Sequence, residues 1–292
     1  MSFLFEHMTI VGVGLLGGSL GLSCKEKGVA KKIIGYGRQI EKVREAEKQG
    51  IIDEATNDLS KAVVKADLVV LCTPVQSISS KTRELVSWLK PGAIITDVGS
   101  VKGSVIQEIE TFIPHDIHYI GSHPIAGGER SGFKEARANL YQKALCILTP
   151  TEKTNKMALG QITQFWKRLG AKIVTLDPEE HDLIYGGVSH LPHVLAFALM
   201  NAIGVMKTPR HNKFFSFGGN GIFDYTRIAS SDPVMWRDIL LANRNFVLQH
   251  LRTFQQSLNS LVTGIEQEDG PKLLEAFISA NDYREELLKN KK

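Results

Sequence analysis

The spacing of apolar positions divides the chain in two. Up to about residue 176, short continuous apolar runs alternate with stretches of helical periodicity. Met8 to Val11, Ile33 to Tyr36, Leu68 to Thr73, Ala93 to Thr96, Ile117 to Ile120, Leu145 to Thr149 and Ile173 to Leu176 read as strands. Helices are predicted from Leu20 to Gly28, Glu41 to Gln49, Leu59 to Lys65, Ser77 to Leu89 and Lys156 to Leu169. Strands that are apolar throughout, separated by helices, belong to a parallel sheet covered on both faces. After Asp177-Pro178-Glu179-Glu180 no strand-like run recurs and helix follows helix, so the boundary is expected near Asp177: an α/β domain over 1–177 and an all-α domain over 178–292.

The helical part opens with a helix from Glu179 to about Met206, broken at Ser189-His190-Leu191-Pro192-His193. Ser230-Ser231-Asp232-Pro233 then supplies a cap followed by proline at a first helical position. The helix starting there is expected to be long, with Val247, Leu251, Phe254, Leu258, Leu261 and Ile265 spaced alternately by four and three. An apolar stripe of that length suits packing on partner helices, and a homodimer through this domain is expected.

Within the first part, the strand Met8 to Val11 runs into Gly12-Val13-Gly14-Leu15-Leu16-Gly17-Gly18-Ser19 and then a helix. Strand, Gly-x-Gly-x-x-Gly, helix is the dinucleotide-binding fingerprint: the first glycine makes the tight turn, the second admits a pyrophosphate to the backbone, the third packs helix on strand. The first part is thus read as a Rossmann domain, with Gly12, Gly14, Leu15, Leu16 and Gly17 forming the cofactor turn. About 20 residues on, where an acid normally holds the ribose 2′-hydroxyl of NAD, the chain has Gly37-Arg38. An arginine there suits a 2′-phosphate, so the site reads as NAD or NADP with a lean to NADP. Thr73 and Pro74, and Ser100 after Asp97, lie at carboxyl ends of predicted strands, where ligands bind in open α/β sheets. Ser100 is also placed to cap the helix expected to begin near Val101.

Composition narrows the function classes. With 23% charged and 43% hydrophobic residues and a net charge of +4, the chain reads as a globular protein without a nucleic-acid surface. Three isolated cysteines, Cys24, Cys72 and Cys146, lack metal or disulfide spacing and suit a reducing compartment. No signal peptide or membrane span is expected, and the protein reads as cytoplasmic. His190 and His193 stand three apart without a carboxylate or cysteine ligand close by, so no metal site is assigned.

The densest cluster of unusual residues is Gly121-Ser122-His123-Pro124-Ile125-Ala126-Gly127-Gly128-Glu129-Arg130-Ser131-Gly132. It reads as a loop after a strand. Its histidine, the side chain titrating nearest neutrality, is either chemical or incidental to a tight connection. Farther on, Arg227 in Phe223-Asp224-Tyr225-Thr226-Arg227-Ile228-Ala229 is a fork able to hold a carboxylate in two bonds.

Taken in order, the segments Gly12 to Ser19, Asp97 to Lys102, His123 to Gly127, Ser189 to His193 and Phe223 to Ala229 resemble the prephenate dehydrogenase family of tyrosine biosynthesis, which includes arogenate and cyclohexadienyl dehydrogenases. The resemblance covers essentially the whole chain. It implies a nucleotide-binding domain followed by a helical dimerisation domain, and oxidative decarboxylation of prephenate to 4-hydroxyphenylpyruvate with NAD(P)+, or the corresponding reaction of arogenate. It also implies catalytic roles for His123, which takes the hydroxyl proton, and Ser100, which orients it. Substrate would meet Arg227, His193, Trp236, Gly127 and Glu129, with Glu129 at the rim. Neutral Ser131 next to Gly132 favours prephenate over arogenate, and tyrosine, if it inhibits, acts at or near the substrate site.

Overall fold

The computed structural model describes residues 2–128, 132–207 and 214–289. They pack as two compact units, 1–244 and 245–292.

The first unit is built on one eight-stranded sheet in the order β3-β2-β1-β4-β5-β6-β7-β8. Its strands are β1 (Phe5–Val11), β2 (Ala30–Tyr36), β3 (Glu54–Thr56), β4 (Leu68–Leu71), β5 (Ile94–Asp97), β6 (His118–Pro124), β7 (Leu145–Thr149) and β8 (Lys172–Thr175). Helices α1 (Leu15–Glu26), α2 (Ile40–Lys48), α3 (Leu59–Val63), α4 (Ile78–Leu85), α5 (Gly103–Ile109) and α6 (Lys156–Arg168) connect them. Then come α7 (Pro178–Tyr185), α8 (Leu191–Gly204), α9 (Asn220–Thr226) and α10 (Pro233–Ala242); α11 (Arg244–Glu266) and α12 (Gly270–Lys289) make the second unit.

Alternate strand residues enter two cores. Met8, Ile10, Leu68 and Val70 join Phe165 and Trp166 on one face, while Val11, Val69 and Leu71 join Ile78, Val105, Trp236 and Ile239 on the other. That double burial is why the strands read as unbroken apolar runs. The carboxyl ends of the mutually parallel β1, β4, β5 and β6 share one edge, and Gly12, Thr73, Ser100 and His123 lie along it.

Several expectations are corrected. The sheet is not wholly parallel: β7 runs antiparallel to β6, with His123 opposite Ile147. His123 therefore stands on a strand, not in the loop that its glycine-rich surroundings suggest. Between the helices predicted to end at Gln49 and to begin at Leu59, the structure adds the three-residue β3. By packing, the first unit runs on past Asp177 to Arg244, because α10 buries Trp236 and Ile239 against the sheet. The long helix expected from Pro233 is two, interrupted at Asn243, although Asp232 does cap the first by accepting from Met235 N–H with Pro233 behind it. The break at Ser189 to His193 is a π turn, Gly186–His190, within a continuous helical run. That run, Pro178–Gly204, is long and apolar enough by composition to cross a bilayer, with mean hydropathy 1.4, yet its buried residues include His181, Asp182 and His190.

Trp166 is fully buried, meets Tyr141 and Phe165 edge to face at 5.3 and 5.1 Å, and donates Nε1–H to Ser122 Oγ at 3.2 Å. Trp166→Ala leaves a large cavity and an unmade bond beneath β6, and is expected to lower unfolding free energy by about 3–5 kcal/mol in urea titration.

Candidate active site

The glycine turn has the shape its sequence requires. Gly12 adopts φ +99°, and a side chain there would meet Cys72 O at 2.7 Å. Nothing lies within 4 Å of a side chain built on Gly14, whereas one on Gly17 would collide with the Gly12 carbonyl and Ile10. A tight turn, an open approach and a close helix-strand contact thus occur in the fingerprint order. Beside the turn, Thr73 Oγ1 is buried without a partner among the described residues, an acceptor and donor left for a ligand. Leu15 and Leu16 are half-buried, while Arg38 and Pro74 are exposed. Gly128 lies against Leu15, with 3.4 Å between a built Cβ and Leu15 Cδ2, so the segment after β6 closes over the first turn of α1. These residues fit a dinucleotide.

At the next strand ends the site is polar and dry. Lys102 and Asp97 are fully buried as an ion pair. Lys102 Nζ also donates to Ser122 O at 3.0 Å, and Asp97 accepts from Gly99 N–H at 2.8 Å, Tyr119 O–H at 2.9 Å and Ser122 N–H at 3.2 Å. Ser100 sits half-buried in the turn between β5 and α5. It does not cap the helix, which starts two residues later than expected, at Gly103. The cap comes from another element: Asp182 of α7 accepts from Lys102 N–H and Gly103 N–H, both at 2.8 Å.

Asp182 then leads to His123. Its Oδ1 is 2.8 Å from His181 Nδ1, and His181 Nε2 is 2.8 Å from His123 Nδ1. Tyr185, one turn along α7, packs edge-on against His123 with ring centroids 4.8 Å apart. Burial first, then the neighbouring His181, Lys102 and His190, hold His123 well below the usual 6.5. His181 is also lowered, by burial, against the opposing pull of Asp182.

A second group lies beyond the π turn. His193 Nδ1 meets Ser189 O at 2.9 Å and its ring stacks on Trp236, centroids 3.5 Å apart at 20°. Burial lowers its pKa, and Arg227, at the end of α9, adds to that shift. Trp236 Nε1–H is buried without an acceptor among the described residues. Asn243 joins the two groups, donating from Nδ2 to Asp182 O at 2.8 Å and lying 3.0 Å from His190 Nδ1. The π turn carries one residue more than an α turn, which rephases the helix so that His181 and Tyr185 face His123 while His193 faces Trp236.

The structure therefore groups His123 with the Ser100 turn, and His193 with Trp236 and Arg227. Nothing lies within 4 Å of a side chain built on Gly127, and Glu129 is outside the described residues. Asp97, Lys102, His181, Asp182, Tyr185 and Asn243 were missed as site residues. Asp97 and Lys102 lie inside a motif noticed for Ser100, but His181 and Asp182 are a plain dipeptide in the first turns of a helix, and their partners are 58 to 80 residues away.

Comparison with known proteins identifies the family. Residues 20–175 match the profile described as prephenate dehydrogenase, nucleotide-binding domain, and residues 177–279 that of prephenate dehydrogenase, dimerization domain. The chain is 35% identical to a prephenate dehydrogenase of Bacillus subtilis, over 98% of this chain and 77% of that protein. It is also 35% identical to a cyclohexadienyl dehydrogenase of Zymomonas mobilis, over 96% of this chain and 95% of that one. A crystal structure of prephenate dehydrogenase from Aquifex aeolicus, in complex with hydroxyphenyl propionate and NAD+, superposes with a TM-score of 0.91 at 38% identity, covering 98% and 99% of the two chains. The chain belongs to the prephenate dehydrogenase family, nicotinamide-dependent oxidoreductases with a nucleotide-binding domain followed by a dimerisation domain.

Proposed function

We propose that this protein oxidises and decarboxylates prephenate to 4-hydroxyphenylpyruvate, with His123 as the general base. The observation that carries the reading is a half-buried imidazole, depressed below 6.5, on the strand edge that also bears the glycine turn. A base must be neutral to accept a proton, and this environment keeps it so at pH 7. A nicotinamide cofactor, when bound on Gly12, Gly14, Leu15, Leu16 and Gly17 with Thr73 and Pro74, supplies the hydride acceptor.

His123 takes the proton of the ring hydroxyl as hydride leaves the carbon bearing it. The ring carboxylate departs as carbon dioxide and its bonding pair completes the aromatic ring. Aromatisation drives the reaction, so the side chains mainly orient and accept. Ser100, in the turn beside His123, holds the hydroxyl and the imidazole in line. Arg227 receives a substrate carboxylate in two bonds, with His193 and the Trp236 indole forming the wall beneath it. Gly127 lets backbone pass close to the ring.

Function thus divides the chain near Asp177, with 1–177 holding cofactor and base, and 178–292 supplying the substrate anchors and a homodimer contact. Exposed Leu258, Ile265, Leu274 and Phe277 on α11 and α12 support that contact. Arg38, exposed just past β2, suits the 2′-phosphate of NADP. Free thiols at Cys24, Cys72 and Cys146 agree with a cytoplasmic enzyme. Tyrosine, sharing the product's ring, would compete at the substrate site. The second reading, a cyclohexadienyl dehydrogenase that also takes arogenate, is favoured by the similarity to the Zymomonas mobilis protein, which is matched nearly end to end.

Initial rates with prephenate and arogenate, each crossed with NAD+ and NADP+, test the substrate and cofactor assignments. Prephenate with NADP+ is expected to give the highest kcat/KM, and arogenate ahead by about ten-fold, equivalent to 1.4 kcal/mol, refutes the preference. His123→Asn should cost about 10²–10⁴-fold in kcat. In the wild type, kcat/KM should hold its plateau as pH falls through 6.5 and drop only at more acidic pH, where the depressed imidazole finally protonates. An acid limb centred at or above 6.5 removes His123 from this role. Arg227→Ala is expected to raise KM more than it lowers kcat; an unchanged KM makes the arginine structural.

A further inference from the structure

We infer that His181 and Asp182 are positioning residues that fix the tautomer of His123, leaving its Nε2 bare toward the reacting hydroxyl. This rests on the reading of His123 as the base and adds the device that aims it.

The argument is one of donor and acceptor counting. Asp182 accepts from Lys102 N–H and Gly103 N–H at 2.8 Å each, so its carboxylate is held as an acceptor at the N-terminus of α5. His181 Nδ1, 2.8 Å from Asp182 Oδ1, must then carry the hydrogen. A neutral imidazole protonated at Nδ1 has its lone pair at Nε2, and that atom is 2.8 Å from His123 Nδ1. The hydrogen of that bond belongs to His123. A neutral His123 protonated at Nδ1 has Nε2 as its acceptor.

When Nε2 takes the substrate proton, the imidazolium donates from Nδ1 to His181 and feels the Asp182 charge through it. Burial of His181, fully inaccessible, and the packed ring of Tyr185 keep water from competing for Nδ1. The same carboxylate fixes the turn that carries Ser100, because Lys102 and Gly103 end that turn. Gly103 is fitted to the arrangement: a Cβ there would stand 3.0 Å from Asp182 Oδ2. Base and serine are therefore registered against one another by a single anion.

The test joins spectroscopy with kinetics. Long-range ¹H–¹⁵N correlation spectra of ¹⁵N-histidine-labelled protein at neutral pH, with the His123 signals identified by their loss in His123→Asn, should show His123 protonated at Nδ1 and bare at Nε2. The opposite tautomer in the wild type overturns the inference, whatever any variant does. His181→Phe keeps a ring but offers no acceptor; it should mix the His123 tautomers and lower kcat by about 10- to 100-fold with KM nearly unchanged. His181→Gln, whose amide oxygen can accept from Nδ1–H, should recover most of that loss. An unchanged kcat in His181→Phe, or no difference between the Phe and Gln variants, overturns it as well. Full turnover in His123→Asn overturns the general-base reading separately, since the wild-type tautomer is measured without reference to activity.

Discussion

The carboxylate of Asp182 is the point on which the first unit's active edge depends. It sits on α7 but closes the N-terminus of α5, an element 79 residues earlier in the chain, by accepting the two backbone N–H groups that open it. Helix N-termini leave such donors unpaired, and a carboxylate there gains from both the hydrogen bonds and the dipole. Because His181 is its sequence neighbour, the same bond delivers an imidazole to His123. Helix start, serine-bearing turn and His123 are thus tied to one side chain.

Beneath this anion lies a second buried charge pair. Lys102 and Asp97 are both inaccessible, and a buried ion pair gains little over apolar residues of equal volume, though losing one partner costs about 3–5 kcal/mol. Its use here is geometric. Asp97 gathers Gly99 N–H, Ser122 N–H and the Tyr119 hydroxyl, and Lys102 reaches Ser122 O, so the ends of β5 and β6 are locked at the residues next to Ser100 and His123. Lys102 also adds positive potential that disfavours a charged imidazole at His123. Burial remains the larger cause of that low pKa, and the pair's main contribution is to lock the edge on which His123 stands.

Much of this was legible in sequence where the signal is local. The glycine spacing announced a turn whose φ and steric limits the structure reproduces, and unbroken apolar runs announced strands buried on both sides. The Asp232-Pro233 start of α10 depends only on adjacent residues and is found as expected. What escaped depends on distant pairing. β7 reverses direction without a change in its apolar pattern, since burial on both faces looks alike in either orientation. His123 sits on a strand because β7 covers it, which the glycines that follow disguise. The trans cap of α5 removed the need for Ser100 as a cap, and no periodicity marks a residue 80 positions away as the partner. Asn243 breaks a continuous helical pattern because its side chain serves Asp182 and His190 instead.

In the proposed mechanism, backbone near the glycine turn receives a dinucleotide, His123 faces the reacting hydroxyl through Nε2, and Arg227 with His193 and Trp236 takes a carboxylate. The proposed reaction depends on where the reacting atoms lie. A crystal structure of this protein with oxidised dinucleotide and an unreactive prephenate analogue retaining the ring hydroxyl tests that most directly. The hydroxyl oxygen is expected within hydrogen-bond distance of His123 Nε2, with a carboxylate on Arg227. An analogue bound with its hydroxyl turned away from His123, or His123 bonded to it through Nδ1, would contradict the account.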